Sequence, residues 1–168
     1  MTLNLPSRRT LNLAGFLICA GMMAFALYAE YQLFMEPCPL CVFQRIAVIG
    51  MGLAFLLLAA HNPSPGWARR FYLGLLSLFA VFGVVVAGRH VWLQSLPPDK
   101  VPSCGPGLDY MLDTFPFSEA LKMVFTGSGE CANVDWSLLG LSMPAWVLVA
   151  VVALAAAGLW NNLHASRD

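Results

Sequence analysis

The chain has 168 residues, of which 59% are hydrophobic and only 11% are charged. Because soluble domains carry ~25% charged residues, this composition excludes an ordinary soluble protein. Nine Lys plus Arg balance nine Asp plus Glu, which excludes the basic surface of a nucleic-acid-binding protein. The length fits one domain, and we treat residues 1–168 as a single unit.

Four apolar runs, with at most one charged residue in each, dominate the sequence. They cover residues 11–29, 42–60, 71–88 and 143–160. Each run is close to the ~20 residues that a helix needs to cross a bilayer. Backbone polar groups must be satisfied within such a segment, so only helices are expected. The sequence therefore predicts an all-α membrane protein built as a four-transmembrane-helix bundle.

The first apolar run follows Arg8 and Arg9 and contains Cys19 near its middle. A twin-arginine or ordinary secretory signal has similar flanks. However, the run is long for a signal, and no small-x-small cleavage site lies cleanly before Glu30. We therefore expect a retained membrane span. Cys19, deep in the run, is expected to pack like a small apolar side chain.

A Cys-x-x-Cys pair, Cys38 and Cys41, lies where the junction 30–41 meets the second apolar run. This spacing is typical of redox-active dithiols. In a helix, Cys41 would lie in the first turn, where unpaired N–H groups and the helix dipole favour a thiolate. Arg45 follows on the same helical face, and its charge is expected to stabilise that anion. Zinc is the alternative for such a pair, but without a second Cys-x-x-Cys no metal site is expected.

The second and third runs are joined by a short Pro- and Gly-rich turn, 61–67, so these spans should be antiparallel neighbours. The third run ends at Gly88, and Arg89 and His90 follow it. We expect Arg89 to extend toward the lipid headgroups. His90 should lie at the same depth as Cys41. Its imidazole could hydrogen-bond a quinone-like carbonyl or could be an ordinary interfacial histidine.

The segment 89–142 is the substantial aqueous region of the chain. Cys104 lies in a Pro- and Gly-rich stretch, which suits a thiol that must meet two partners. Residues 115–125 carry apolar side chains at helical spacing and predict a short helix on the membrane surface. Cys131 follows a second Gly-rich stretch.

Charges in the connecting segments predict the orientation of the bundle. Five arginines flank the ends of the spans that would share one side of the bilayer. They are Arg8, Arg9, Arg69, Arg70 and Arg167. By the positive-inside rule, both termini and the 61–70 turn are cytoplasmic. The segments 30–41 and 89–142 then face the opposite side, where disulfides persist. All four cysteines outside the first run belong to these two segments, which supports the same orientation.

Four cysteines in aqueous segments allow three pairings, and Cys38–Cys41 with Cys104–Cys131 is the economical one. A Cys-x-x-Cys ring closes too short a loop to add much stability, so two purely structural bridges explain the pattern poorly. Two disulfides in series indicate a relay by thiol–disulfide exchange. Because the sequence has no flavin fingerprint, iron–sulfur ligand set or haem-attachment motif, a lipid-soluble quinone is the expected electron acceptor.

The chain resembles the DsbB family of bacterial membrane proteins, which reoxidise the periplasmic thiol oxidase DsbA. The resemblance rests on four spans, a Cys-x-x-Cys at the second helix with an arginine four residues later, and two cysteines in the long loop. The stretch WSLLGLSMPAW at 136–146 also looks like the family's entry to its last span. The resemblance covers nearly the whole chain and implies a protein of the bacterial inner membrane with periplasmic redox loops.

The resemblance also implies an order of thiol exchange. A reduced DsbA-like protein of thioredoxin fold attacks Cys104 of a Cys104–Cys131 disulfide. The released Cys131 then attacks Cys38, which frees Cys41 to pass electrons to ubiquinone or menaquinone.

Two further residues gain roles from the resemblance. Arg45 stabilises the Cys41 thiolate, and His90 matches the family's quinone-side histidine. Other readings remain open: a relative serving a different thiol carrier, a relay run in reverse like that of vitamin K epoxide reductase relatives, or a non-enzymatic scaffold with structural disulfides.

Overall fold

A computed structural model describes residues 7–64, 66–102, 110, 113–127, 129–134 and 136–164. The long helices are α1 (Arg8–Gln32), α2 (Pro39–His61), α3 (Trp67–Gln94) and α5 (Met143–His164), with a shorter α4 (Phe117–Thr126) before the last. Two short 3-10 turns cover Pro98–Lys100 and Gly129–Ala132. An antiparallel hairpin of β1 (Ser137–Leu138) and β2 (Leu141–Ser142) leads into α5.

Each predicted apolar run lies inside one long helix. Among the described residues, these four helices are long and apolar enough to cross a membrane. The prediction of an all-α, four-helix, multi-pass membrane protein is therefore confirmed. The helices are longer than the runs because flanking residues continue them, at both ends of α1, α2 and α3 and at the C-terminal end of α5. As a result α3 extends to Gln94, and the loop that we expected from residue 89 begins later.

The start of α1 and the end of α2 meet at the end of the bundle away from the Cys-x-x-Cys pair. Ser7 caps α1 by accepting a hydrogen bond from the backbone N–H of Thr10, as N-cap residues do. At the end of α2, Asn62 adopts a left-handed conformation with φ of 36°, which asparagine tolerates better than most residues. Arg8 Nε donates to Asn62 Oδ1 at 2.9 Å. This bond holds the start of α1 against the end of α2, so the two helices are antiparallel.

Glycines allow the helices to approach closely around one aromatic ring. Phe55 of α2 is buried, with 2% of its surface exposed. A Cβ atom added at Gly15 of α1 would lie 2.9 Å from this ring, and one added at Gly158 of α5 would lie 2.7 Å from it. Such small residues let membrane helices pack through van der Waals contact. The ring of Phe55 therefore lies where α1, α2 and α5 converge.

A second apolar cluster forms where α2 begins and α3 ends, which we call the thiol end of the bundle. Its buried members are Cys38, Leu40, Val86, Leu93, Val124 and Cys131. Val124 belongs to α4, so the predicted short helix exists, and it packs Val124, Met123 and Phe125 onto the bundle.

Arg89 holds the end of α4 to α3. Its guanidinium donates from Nε to the carbonyl of Phe125 at 2.9 Å and from Nη2 to that of Thr126 at 2.8 Å. These carbonyls end a helix, where a cation also interacts favourably with the dipole. Sequence reasoning assigned Arg89 to the headgroups and did not identify these contacts.

Candidate active site

A cavity of about 1070 Å³ opens at the thiol end. Four of the residues singled out in the sequence line it: Cys38, Cys41, Arg45 and His90. Cys131 lies beside Cys38 and His90, whereas Cys104 lies outside the described residues. The fold thus brings residues from α2, α3 and the loop after α4 to one end of the bundle.

The two thiols of the Cys-x-x-Cys pair meet at the start of α2. Cys38 is the N-cap residue and Pro39 is the first helical position, where its missing N–H costs nothing. The N–H of Cys41 donates to the carbonyl of Cys38 at 2.9 Å. This tight first turn leaves the Cys38 and Cys41 sulfurs 3.3 Å apart. Cys41 therefore lies in the first turn of a helix, as its position in the sequence predicted.

Cys131 reaches the same place from a distant part of the chain. It lies in the 3-10 turn Gly129–Ala132 and is 1% exposed. The Cys38 sulfur, the Cys131 sulfur and a ring nitrogen of His90 all lie within 4.8 Å of one another. Hydrogen bonding with Cys131 and Cys41, together with burial, raises the pKa of the Cys38 thiol. These contacts and burial therefore favour the thiol over the thiolate at Cys38.

His90 faces the sulfurs through one ring nitrogen and Gln44 through the other. His90 Nε2 is 3.8 Å from Cys38 Sγ, and Nδ1 is 2.8 Å from Gln44 Nε2. The amide nitrogen can only donate, so Nδ1 accepts and a neutral ring carries its proton on Nε2. An N–H group therefore points at the Cys38 sulfur.

Gln44 is a site residue that sequence reasoning missed. It is 5% exposed and lies within the second apolar run. A buried polar residue within a membrane span is a signal of function or of a polar partner, and that signal was available in the sequence. The partner of Gln44 could not be identified from the sequence, because Gln44 and His90 are 46 positions apart.

Arg45 has a carboxylate partner that the sequence did not identify. Its guanidinium forms an ion pair with Glu30 at the end of α1 and also contacts the carbonyl of Ala26. Glu30 and Arg45 both line the cavity with Cys41. The positive charge is therefore close to the thiol end but is shared with a carboxylate.

Comparisons with known proteins agree with this architecture. The family model for Disulfide bond formation protein DsbB matches residues 8–161. A protein from Methylococcus capsulatus named Disulfide bond formation protein B is 49% identical over 98% of this chain and 100% of its own length. Proteins of the same name from Nitrosococcus oceani and Acinetobacter baumannii are 51% and 48% identical over 88% of this chain, covering 86% and 88% of their own lengths. This chain therefore belongs to the DsbB family of membrane proteins of disulfide bond formation.

Proposed function

We propose that this protein takes electrons from a DsbA-like thiol oxidase of thioredoxin fold and passes them to a membrane quinone, either ubiquinone or menaquinone. The observation that carries the proposal is the position of Cys131. A loop cysteine is buried against Cys38 of the Cys-x-x-Cys pair, and direct thiol–disulfide exchange requires such an arrangement.

The relay consists of successive thiol–disulfide exchanges. The thiolate of the reduced partner attacks Cys104 of a Cys104–Cys131 disulfide, and the Cys131 thiolate leaves. That thiolate attacks Cys38 of a Cys38–Cys41 disulfide, forming a Cys38–Cys131 bond and releasing Cys41 as a thiolate. The partner's second thiolate then attacks the partner sulfur bonded to Cys104, so the partner leaves oxidised with two electrons fewer and Cys104 is released as a thiolate. The Cys104 thiolate attacks Cys131 of the Cys38–Cys131 bond, which re-forms the Cys104–Cys131 disulfide and leaves Cys38 and Cys41 reduced.

The residues around the cavity suit a quinone. Cavities that bind small molecules are mostly apolar with a few convergent polar groups. Here Met22, Val48 and Val147 provide apolar wall, and Arg45 and His90 provide hydrogen-bond donors. A quinone bound there would supply the two-electron oxidation that restores the Cys38–Cys41 disulfide.

His90 and Arg45 stabilise the negative charge that develops on the cysteine sulfurs during these steps. The Nε2–H of His90 faces Cys38 and can hydrogen-bond to a sulfur that gains negative charge as its disulfide breaks. Arg45 contributes a positive charge at the cavity and thereby favours a Cys41 thiolate over the thiol. Glu30 offsets part of that charge through the ion pair.

The proposal includes a location in the bacterial inner membrane with both termini in the cytoplasm. The arginines on the side of the 61–70 turn support this orientation. The thiol end then faces the periplasm, where α4 would lie near the membrane surface.

A Cys41→Ser variant tests the proposal directly. Purified protein is mixed with a reduced thioredoxin-fold partner and ubiquinone, and quinone reduction is followed by absorbance. We expect turnover to be abolished, because without Cys41 the Cys38 sulfur cannot form the disulfide that Cys131 must attack. Cys19→Ser is the matched control, since Cys19 is buried deep in the bundle, and it should retain full activity.

Two results would contradict the proposal. Quinone-dependent oxidation that persists in Cys41→Ser would remove Cys41 from the pathway. Absence of any such activity in the wild-type protein, with its helices intact by circular dichroism, would favour a scaffold with structural disulfides.

A further inference from the structure

We propose that the reduced protein binds a zinc ion at the thiol end, with Cys38, Cys131 and His90 as ligands and Cys41 completing the set. This zinc site is present only in the reduced state and inhibits the protein. The proposal does not depend on the identity of the electron acceptor or of the partner.

The geometry of the side chains matches the requirements of zinc. Structural zinc is tetrahedral, with Zn–S of ~2.3 Å and Zn–N of ~2.0–2.1 Å, so neighbouring ligand atoms lie ~3.5–3.8 Å apart. The distance from Cys38 Sγ to His90 Nε2 is 3.8 Å, and Cys131 Sγ lies within 4.8 Å of both groups. Three ligand atoms are therefore nearly in place without any change of the backbone.

Cys41 can supply the fourth ligand. Its sulfur is 3.3 Å from that of Cys38, and both Cys41 and His90 line the same cavity. A set of three cysteines and one histidine is a common closed zinc site. The sequence argued against zinc because it offers no second ligand pair, but the fold brings two further ligands from α3 and the loop after α4.

Gln44 determines whether His90 can bind the metal. In the present arrangement its amide donates to Nδ1, which leaves the ring proton on Nε2, the nitrogen that must bind. Rotation of the amide by half a turn would place its oxygen on Nδ1–H and free Nε2. Metal-bound histidines usually donate their second N–H to such an acceptor. Zinc binding therefore requires this rotation, which provides a specific test.

The redox state controls the site because thiolates, and not disulfides, bind zinc. A Cys38–Cys131 or Cys38–Cys41 disulfide removes two ligands at once. In the reduced state, zinc binding releases the thiol protons and holds the sulfurs that exchange would need. Zinc should thus inhibit the reduced protein and should have little effect on the oxidised one.

The experiment measures zinc binding to purified protein in the absence of quinone and partner. Zinc is titrated against a chromophoric chelator, and Cd²⁺ is added separately to detect its ultraviolet thiolate charge-transfer band. We expect one zinc per reduced chain. Oxidation should weaken zinc binding by at least ~100-fold, because disulfides remove the thiolate ligands. Cys131→Ser and His90→Ala should each weaken binding, whereas Cys19→Ser should match the wild type.

Gln44 variants distinguish zinc bound at a specific site that includes His90 from zinc bound nonspecifically by the thiols. Gln44→Glu replaces the amide with a group that only accepts, so zinc should bind about tenfold more tightly than to the wild type. Gln44→Leu should bind about tenfold more weakly, since second-shell changes alter metal affinity by 10–100-fold.

Three results would overturn the zinc proposal. These are equal binding to oxidised and reduced protein, unchanged binding in Cys131→Ser, or equal affinities of Gln44→Glu and Gln44→Leu. Circular dichroism of each variant shows whether the helices are intact. Because no quinone is present, failure here leaves the Cys41→Ser test unaffected.

Discussion

Among the described residues, the bundle buries two polar pairs between helices, one at each end, and the pairs differ in what lies beside them. At the end away from the thiols, Asn12 of α1 and Asn162 of α5 exchange amide hydrogen bonds of 3.2 and 2.8 Å. Asn162 also donates to the carbonyl of Gly158 at 2.8 Å. Two of these three bonds join α1 to α5, and the third lies within α5.

At the thiol end, Gln44 and His90 share one hydrogen bond of 2.8 Å. That bond fixes the ring and leaves its second nitrogen directed at Cys38. Both pairs are buried and both connect two helices, yet of the two only the Gln44–His90 pair directs a ring nitrogen at a sulfur. Burial of a polar pair therefore does not by itself indicate chemistry, whereas a remaining donor aimed at a reactive atom does.

Apart from the loss of Cys41, the largest expected effect is that of His90→Gln on turnover. This change keeps a polar side chain of similar size but removes the ring N–H that faces Cys38. We expect quinone-dependent turnover to fall about 100-fold, the lower range for a positioned proton donor. The measurement is the rate of quinone reduction with saturating partner.

His61→Gln is the matched control for this prediction. His61 lies at the opposite end of α2 and contacts Tyr72, so its turnover should stay close to that of the wild type. If His90→Gln and His61→Gln lost the same amount of turnover, the specific role of the His90 ring at the thiol end would be contradicted.

A Gly158→Ala variant should have the next largest effect, on stability. Its new Cβ would lie 2.7 Å from the buried ring of Phe55, so the ring or the helix must move. Overpacking of this kind costs about 1–3 kcal/mol, and we expect that loss in the free energy of unfolding in detergent. Turnover should be retained at temperatures where the variant is folded.

Gly74→Ala provides the reference for Gly158→Ala. Among the described residues, and apart from the neighbouring backbone of α3, no atom lies within 4 Å of a Cβ added at Gly74. Alanine is also a better helix former than glycine. Its stability should be unchanged or slightly higher. A similar loss in both variants would argue against close packing around Phe55.

The smallest expected effect is that of Asn12→Leu. Both hydrogen bonds between the two amides are lost. Because interhelical hydrogen bonds in membranes contribute about 0.6 kcal/mol each on average, the two together contribute roughly 1 kcal/mol. We expect a loss of that size in unfolding free energy and unchanged turnover.

The double variant Asn12→Leu with Asn162→Leu should recover part of the Asn12→Leu loss, because no amide is left unpaired. A large loss of activity in either variant would show that this pair is more than a helix contact. A double-mutant cycle gives the coupling energy.

Much of this architecture could be predicted from sequence, because spans are determined by length and hydropathy alone. The four runs and the short α4 follow from local patterns, and so does the position of Cys41 in a first helical turn. The hairpin Ser137–Ser142 was not predicted, since its strands have two residues each. Such short strands carry too little periodicity to be distinguished from a turn.

The partners of the site residues could not be predicted in the same way. The Arg45–Glu30 ion pair and the Gln44–His90 hydrogen bond depend on which faces of neighbouring helices meet, and hydropathy says little about rotation of a helix about its axis. Only the family resemblance related Cys131 to Cys38. Cys104 lies outside the described residues, so its role remains a prediction.

The burial of Cys38 and Cys131 also bears on chemical damage. Only 8% and 1% of their surfaces are exposed, so peroxides dissolved in the surrounding water have little access to either sulfur. Irreversible oxidation to sulfinic acid requires such access. A sulfur pair that works by exchange with its neighbour can therefore pass many electron pairs without being overoxidised itself.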